Sequence, residues 1–165
     1  MASELYLVRH GIAAERGDAW PDDTKRPLTD AGVKRLRRMT AGLVELGVTF
    51  DIVLSSPLVR AMQTAEILAA GLQPHPVVVA SDALSPGGAY AAVLEDLGRH
   101  ARRRRIALVG HEPGLGALAA RLTGARQALE FKKGAVARID FATLPPTGAG
   151  SLRWFATPRM LRKLG

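Results

Sequence analysis

Short apolar runs alternate with amphipathic stripes along most of the chain, and this alternation limits the possible folds more than any other feature. In the stripes, apolar residues recur at spacings of three and four, which predicts helices. The first predicted helix covers about residues 30–46, between a capping Thr29 and a terminating Gly47. Strands that alternate with helices favour parallel pairing. The four predicted strands of this kind cover residues 5–8, 51–54, 77–79 and 106–109.

The pattern changes near the C-terminus, where apolar and polar residues alternate with a period of two. Residues 136–141 and 152–155 show this alternation, and a segment rich in Pro and Gly joins them. Such a pair predicts a hairpin-like unit with a long loop. We therefore expect an α/β fold, a three-layer α/β/α sandwich. Its central sheet has about six strands, mainly parallel, with at least one antiparallel strand at the C-terminal end. A chain of 165 residues has the length of one domain, residues 1–165.

Composition excludes several classes of protein. The chain has no Cys, so it has no disulfides and no thiolate chemistry. No apolar run approaches ~18 residues, and the N-terminus does not have the pattern of a signal peptide. We therefore expect a cytoplasmic protein without membrane association, a monomer or a weak dimer. A net charge of +8 favours an anionic substrate or an acidic partner. With only 5% aromatic residues, the chain offers few stacking platforms, so we expect no nucleic-acid partner.

Histidines and arginines follow the predicted strands at the edge where α/β proteins bind ligands. Arg9 and His10 follow the first strand, and His111 follows the fourth. After the second strand, Ser56 and Pro57 are expected to cap and open a helix that carries Arg60 in its first turn. Arginine forks match phosphate oxygens, and a histidine ring nitrogen can attack phosphorus. We find neither metal-ligand spacing nor a nucleotide-binding loop, so we expect phosphoryl transfer through a histidine without a metal or another cofactor.

Four sequence blocks resemble those of the histidine phosphatase superfamily, also called the phosphoglycerate mutase-like family. They occur in the family's order across most of the chain. They are the RHG signature at residues 9–11, RPLT with a following glycine at 26–32, SSPLVRAMQTA at 55–65 and GHEPG at 110–114. The short SixA-type phosphohistidine phosphatases are the most similar branch. Residues 84–88 resemble their LxPxG element, and Trp154 with Thr157 and Pro158 resembles their C-terminus.

The resemblance implies roles for the residues of these blocks. His10 is then the nucleophile that becomes phosphohistidine. Arg9, Arg60 and His111 then bind the phosphoryl oxygens together with Gly11, which leaves room for the phosphate. His10 must be neutral to attack, and His111 is expected to act best when protonated.

One departure from the mutase branch bears on the substrate. Residues 84–86 read Leu-Ser-Pro where that branch carries a general-acid Glu. The remaining candidates for the acid are Glu15, Asp18 and Glu112. An alkoxide leaving group needs strong proton donation because its conjugate acid is about as weak as water, whereas the conjugate acid of imidazole has a pKa of ~6.5. Residues 69–105 must also form a strand and a helix, so little of this segment remains to form a lid over the site. We therefore expect a phosphohistidine protein as the substrate.

Three alternatives stay open at this point. The first is the same chemistry on a small phosphate monoester, and the second is a phosphate- or partner-binding module without turnover. The third concerns the basic run Arg102–Arg105, which is either a solvated helix end or a docking surface for an acidic partner.

Overall fold

The computed structural model describes residues 2–165 and contains one six-stranded mixed sheet. Its strand order is β3-β2-β4-β1-β5-β6. The first four strands pair in parallel, and β5 and β6 extend the sheet in antiparallel fashion. This arrangement confirms the expected mainly parallel sheet with its antiparallel end. The strands are β1 (Ser3–Arg9), β2 (Ile52–Ser55), β3 (Val77–Ala80), β4 (Arg105–Gly110), β5 (Val136–Phe141) and β6 (Ser151–Ala156).

Five α-helices cover the two faces of the sheet and complete the predicted three layers. Two separate clusters of buried apolar side chains lie on the two faces. One cluster holds residues of α1, α2 and α5, and the other holds residues of α3 and α4. The helices are α1 (Asp30–Glu45), α2 (Val59–Gly71), α3 (Tyr90–Arg99), α4 (Gly114–Thr123) and α5 (Pro158–Leu164). Two 3-10 turns, Asp23–Lys25 and Asp82–Leu84, lie in the loops beside the sheet edge.

Local sequence signals explain several helix ends. The side chain of Thr29 accepts a hydrogen bond from the backbone N–H of Gly32, so Thr29 caps α1 as predicted. Gly124 ends α4 in the left-handed conformation, at a φ of 73°, which favours glycine. Thr157 caps α5 in the same way as Thr29 caps α1, and Pro158 occupies its first turn.

The start of α2 differs from the prediction. Ser56 was expected to cap this helix, but α2 begins at Val59 with Leu58 as its N-cap residue. The hydroxyl of Ser56 accepts a hydrogen bond from the N–H of Leu58 and also contacts His111. Ser56 therefore stabilises the turn before the helix and serves the edge of the sheet rather than the helix terminus.

The sheet register sets the positions of the strand ends. Arg9 of β1 lies opposite Gly110 of β4, and Ser55 of β2 lies opposite Val109. The three loops that follow β1, β2 and β4 therefore leave the sheet side by side. Among residues 2–165, no helix is both long enough and apolar enough to cross a membrane.

Candidate active site

The two histidines predicted at the sheet edge face each other in one cleft. The centroids of the His10 and His111 rings are 5.0 Å apart, with the ring planes tilted by 57°. Both side chains are buried, at 6% and 7% exposure. Arg9 and Arg60 line the same cleft of about 400 Å³. The structure thus brings together the four residues that the sequence placed after separate strands.

The hydrogen bond of His10 fixes where its ring carries the proton. Its Nδ1 lies 2.7 Å from the carbonyl oxygen of Gly11. A carbonyl oxygen can only accept, so Nδ1 must donate and carries the hydrogen of the neutral ring. The lone pair is then on Nε2. A neutral imidazole with this tautomer is the form that can attack an electrophile.

His111 is held by a serine from the neighbouring loop. Its Nε2 lies 2.7 Å from Oγ of Ser56. That hydroxyl accepts from the N–H of Leu58, and we assign its own hydrogen to a bond with Nε2. The proton of a neutral His111 is then on Nδ1, which makes this nitrogen a donor.

Burial keeps both rings neutral. Burial is the main cause that lowers the pKa of His10 to about 3; the bond to the Gly11 carbonyl opposes it, and the nearby His111, Arg60 and Arg9 add to it. Burial also lowers the pKa of His111 to about 4, with Arg60 as the next cause. Neutral His10 is the state that a nucleophile requires. The expectation that His111 is protonated does not hold for the free site, so His111 donates there as a neutral ring.

Three buried nitrogen atoms of the cleft have no hydrogen-bond partner within the part of the chain that the structure describes. They are Nε of Arg9, Nε of Arg60 and Nδ1 of His111. Buried donors without a partner are rare and costly in folded proteins. Three of them beside one nucleophilic ring form a set of donors suited to the oxygens of an anion.

The two arginines are fixed by different partners. Arg9 donates through a terminal nitrogen to the carbonyl of Phe131 at 2.8 Å. Arg60 donates to Asp23 twice, to its backbone oxygen at 2.9 Å and to its carboxylate at 3.0 Å. Burial lowers the pKa of each guanidinium from its very high ordinary value, and both groups stay charged near neutral pH. Both side chains therefore bring a fixed positive charge to the cleft.

Sequence reasoning missed Asp23 and Arg26. The carboxylate of Asp23 lies 3.0 Å from Arg26 Nε as well as from Arg60, and Arg26 also donates to the carbonyl of Ala14. Burial raises the pKa of Asp23, but hydrogen bonds from Arg26 and Arg60 outweigh this and lower it overall. Asp23 therefore stays ionised and is a poor proton donor. Arg26 belongs to the RPLT block, which is the one signal in the sequence that pointed to this loop.

The remaining residues of the blocks brace the loops. Oγ1 of Thr64 accepts from the backbone N–H of Gly11, and Oε1 of Gln63 accepts from the N–H of Leu28. The backbone N–H of Gly11 is thus directed to Thr64. A Cβ on Gly11 would lie 2.6 Å from a side-chain carbon of Leu36. Any larger residue here would have to displace the Leu36 side chain of α1, which packs closely against this loop.

The three candidate acids have different positions. Glu15 is exposed and lines the cleft, whereas Asp18 is exposed and is not among the lining residues. Glu112 also lines the cleft, but its carboxylate accepts from the N–H groups of Gly116 and Phe131. Glu112 therefore holds the start of α4 against the loop before β5. Of the three, Glu15 is the carboxylate placed at the cleft without such a structural bond.

The charges around the cleft favour an anion. Its lining contains five cations and three carboxylates, with both histidines neutral. The cations are Arg9, Arg16, Arg26, Arg60 and Lys133. Within residues 2–165, no group of three or more His, Cys, Asp or Glu side chains is arranged to hold a metal ion.

Comparisons with known proteins agree with the geometry. Residues 5–84 match the model of the histidine phosphatase superfamily (branch 1). The chain is 30% identical to the phosphohistidine phosphatase SixA of Escherichia coli strain K12 over 96% of both chains. It is 48% identical over 116 residues, 68% of each chain, to an uncharacterized protein of Picosynechococcus sp. strain PCC 7002. The solved structure of the protein histidine phosphatase SixA complexed with tungstate superimposes with a TM-score of 0.84 at 27% identity. That match covers 94% of this chain and 97% of the other.

Proposed function

The chain belongs to the histidine phosphatase superfamily and is a phosphatase of the SixA type, and from this premise we propose that it removes the phosphoryl group from phosphohistidine on another protein through a phosphoenzyme at His10. The observation that carries the proposal is the neutral His10 ring, with its lone pair on Nε2, beside three buried donors that have no partner within residues 2–165. The name of the relative SixA, a phosphohistidine phosphatase, supports the same substrate class.

The first chemical step transfers the phosphoryl group to the enzyme. Nε2 of His10 attacks phosphorus and forms a new N–P bond, while the N–P bond to the substrate histidine breaks. The electron pair of the broken bond goes to the substrate ring. Nε of Arg9, Nε of Arg60 and Nδ1 of His111 donate to the phosphoryl oxygens, where negative charge is concentrated in the transition state.

The second step regenerates the enzyme. A water oxygen attacks the phosphorus on His10, the N–P bond breaks, and its electron pair returns to Nε2. The proton lost by the water goes to solvent or to the departing phosphate. His10 is again neutral because its low pKa prevents it from keeping a proton. The products are inorganic phosphate and the free site.

The carboxylates of the cleft favour an easy leaving group. Asp23 is held ionised by arginines, and Glu112 is held by backbone N–H groups. Phosphohistidine needs no acid at the breaking bond. Its second ring nitrogen titrates near the ordinary histidine pKa of ~6.5 and can take a proton from solvent. The ring then departs as neutral imidazole.

A comparison of three substrate classes tests the substrate. We expect kcat/KM at neutral pH to be highest for a phosphohistidine peptide or protein, lower for an activated aryl phosphate and lowest for an alkyl phosphate. This ratio reports transition-state stabilisation relative to the free reactants. An alkyl monoester, such as a sugar phosphate, that reacts faster than both others would contradict the proposal.

A small phosphate monoester is the second candidate substrate, and the position of Glu15 is the observation that favours it. Glu15 is exposed at the cleft, so in its protonated form it is the carboxylic acid that would donate a proton to an alkoxide leaving group. Under this alternative, Glu15→Gln lowers kcat/KM for an alkyl phosphate far more than for an aryl phosphate. Under the phosphohistidine proposal, the same substitution leaves the hydrolysis of phosphohistidine nearly unchanged.

A further inference from the structure

A second groove, distinct from the phosphate cleft, begins at Arg9 and runs between α1, α5 and the loop before β5. Its volume is about 490 Å³. Arg9 and Lys133 line both the groove and the cleft, so the two are adjacent. The loop is attached to the end of β1, because the N–H of Gly134 donates to the carbonyl of Arg9. We name this surface the basic groove and define it by Arg9, Arg35, Lys132, Lys133 and Arg162.

The basic groove carries an uncompensated positive charge. All five defining residues are cationic, and the described residues that line the groove include no Asp or Glu. None of the salt bridges within residues 2–165 involves Arg35, Lys132, Lys133 or Arg162. The pKa of Arg162 is lowered by burial first and then by repulsion from Arg35, Arg38 and Arg159. A concentration of like charge of this kind destabilises the free protein and attracts an anionic partner.

We infer that the basic groove docks an acidic surface of the phosphorylated protein substrate, on the side of the phosphohistidine that faces α1 and α5. This inference rests on the proposed function. A phosphohistidine seated in the cleft brings its flanking residues over the rim, and Arg9 and Lys133 connect that rim to the groove. Complementary charge there increases the rate of encounter and fixes the orientation of the substrate.

The composition of the groove favours a protein over a nucleic acid. Among the described residues that line it, none is aromatic, so it offers no platform on which bases can stack. Its apolar floor includes Leu36 and Met39 of α1 and Pro158 of α5. Cations around an apolar floor suit a surface that presents carboxylates beside aliphatic side chains.

Two peptides that carry the same phosphohistidine test the inference. In one peptide glutamates flank the phosphohistidine, and in the other lysines do. At low ionic strength we expect the wild-type chain to hydrolyse the glutamate peptide with a kcat/KM about tenfold higher or more, within the range of electrostatic steering. Added salt should reduce this preference, since the groove residues are mostly exposed.

The double variant Arg35→Glu/Lys132→Glu should abolish or reverse the preference for the glutamate peptide. Its kcat/KM for an aryl phosphate should stay at the wild-type value, which also shows that the variant is folded. Arg35→Gln/Lys132→Gln should give an intermediate preference. The matched control is Arg102→Glu/Arg103→Glu, which also reverses two exposed charges. These residues precede the start of β4, whereas His111 follows the end of that strand. This control should keep the full preference.

Several outcomes would overturn the inference. Equal hydrolysis of both peptides by the wild type contradicts docking but leaves the proposed function intact. Hydrolysis of the aryl phosphate and of neither peptide contradicts the proposed protein substrate, and the groove loses its role with it. Loss of the preference in the Arg102/Arg103 variant alone assigns docking to that basic run. Tight binding of a short single-stranded RNA by the groove, without a preference between the peptides, assigns the groove to nucleic acid.

Discussion

Two clusters of charged side chains lie near opposite ends of β1, and they differ in how completely their charges are paired. In the cluster around Asp140, two arginines meet two carboxylates. Arg138 and Arg153 both donate through Nε to Asp140, and Arg138 also contacts Glu4. In the cluster around Asp23, Arg16, Arg26 and Arg60 share one carboxylate. There the Nε of Arg60 is buried without a partner in the described residues.

The difference separates structural charge from functional charge. The Asp140 cluster links β1, β5 and β6 and satisfies its own donors, so it stabilises the antiparallel end of the sheet. The Asp23 cluster leaves a surplus of positive charge and a free donor beside His10. A protein keeps buried donors unsatisfied at the expense of stability, and such exceptions are concentrated at functional sites.

The largest effect is expected from changing an arginine fork in the Asp23 cluster. Arg60→Lys keeps the charge but loses the fork, and it should cost about 2–4 kcal/mol of transition-state stabilisation. The measurement is kcat/KM for an aryl phosphate. The matched control is Arg153→Lys in the Asp140 cluster, whose side chain is 57% exposed and should change activity little. If Arg60→Lys retains the wild-type kcat/KM, Arg60 does not contact the phosphoryl group.

Removal of the central carboxylate from each cluster should give opposite phenotypes. Asp140→Asn should lower the free energy of unfolding by about 1–3 kcal/mol, the range for hydrogen bonds to charged groups, and leave kcat/KM unchanged. Asp23→Asn should lower kcat/KM about tenfold, because the Arg60 guanidinium loses its orientation. A tenfold loss corresponds to about 1.4 kcal/mol of transition-state stabilisation. Chemical denaturation and steady-state kinetics on both variants provide the check. A loss of activity in Asp140→Asn as large as in Asp23→Asn would remove the distinction.

The histidines of the cleft and the Asp140 cluster should lose their contributions to stability over different pH ranges. The folded-state pKa values of His10 and His111 lie below the ordinary 6.5, so the unfolded chain binds more protons below that pH. Their contribution to stability is complete above about pH 6.5 and is lost as the pH falls towards 3–4. For Asp140, burial raises the pKa, but hydrogen bonds from Arg138 and Arg153 lower it overall from 3.8. Its contribution is lost only at more acidic pH.

Free energies of unfolding measured between pH 7 and pH 4.5 report the contribution of the two histidines separately from that of Asp140. We expect the wild type to lose stability over this range, because the unfolded chain takes up protons at both positions while the folded rings stay neutral. His111→Gln should flatten the profile. His75→Gln should not, because His75 is exposed. A profile of His111→Gln that coincides with that of the wild type would show that His111 is not held neutral by the fold.

The sequence predicts those parts of the molecule that depend on local contacts better than those that depend on distant contacts. Regular spacing of Leu36, Met39 and Leu43 predicts α1 because one face of that helix is buried. Arg9, His10 and His111 follow from the strand-end rule, because each lies at or next to the end of a strand that its own apolar run identifies. Local patterns determine these features, so they can be read from local sequence.

Features that depend on distant contacts were not predicted. Asp23 lies in an irregular polar loop, and its bond to Arg60 joins residues 37 positions apart. The start of α2 was wrong by two residues, since its N-cap is Leu58 rather than Ser56; the Ser56 hydroxyl instead bonds to Leu58 and to His111, 55 positions away. In each case a tertiary contact overrides a plausible local interpretation.

Trapping of the phosphoenzyme tests the central claim most directly. The full chain is mixed with a radiolabelled aryl phosphate in buffer that contains EDTA, and the reaction is quenched rapidly at alkaline pH, where phosphohistidine is stable. We predict a base-stable, acid-labile label on the wild type and on His75→Ala, and no label on His10→Ala. A label that persists in His10→Ala would contradict the assignment of the nucleophile. Labelling that disappears with EDTA and returns with a divalent cation would contradict the metal-independent mechanism.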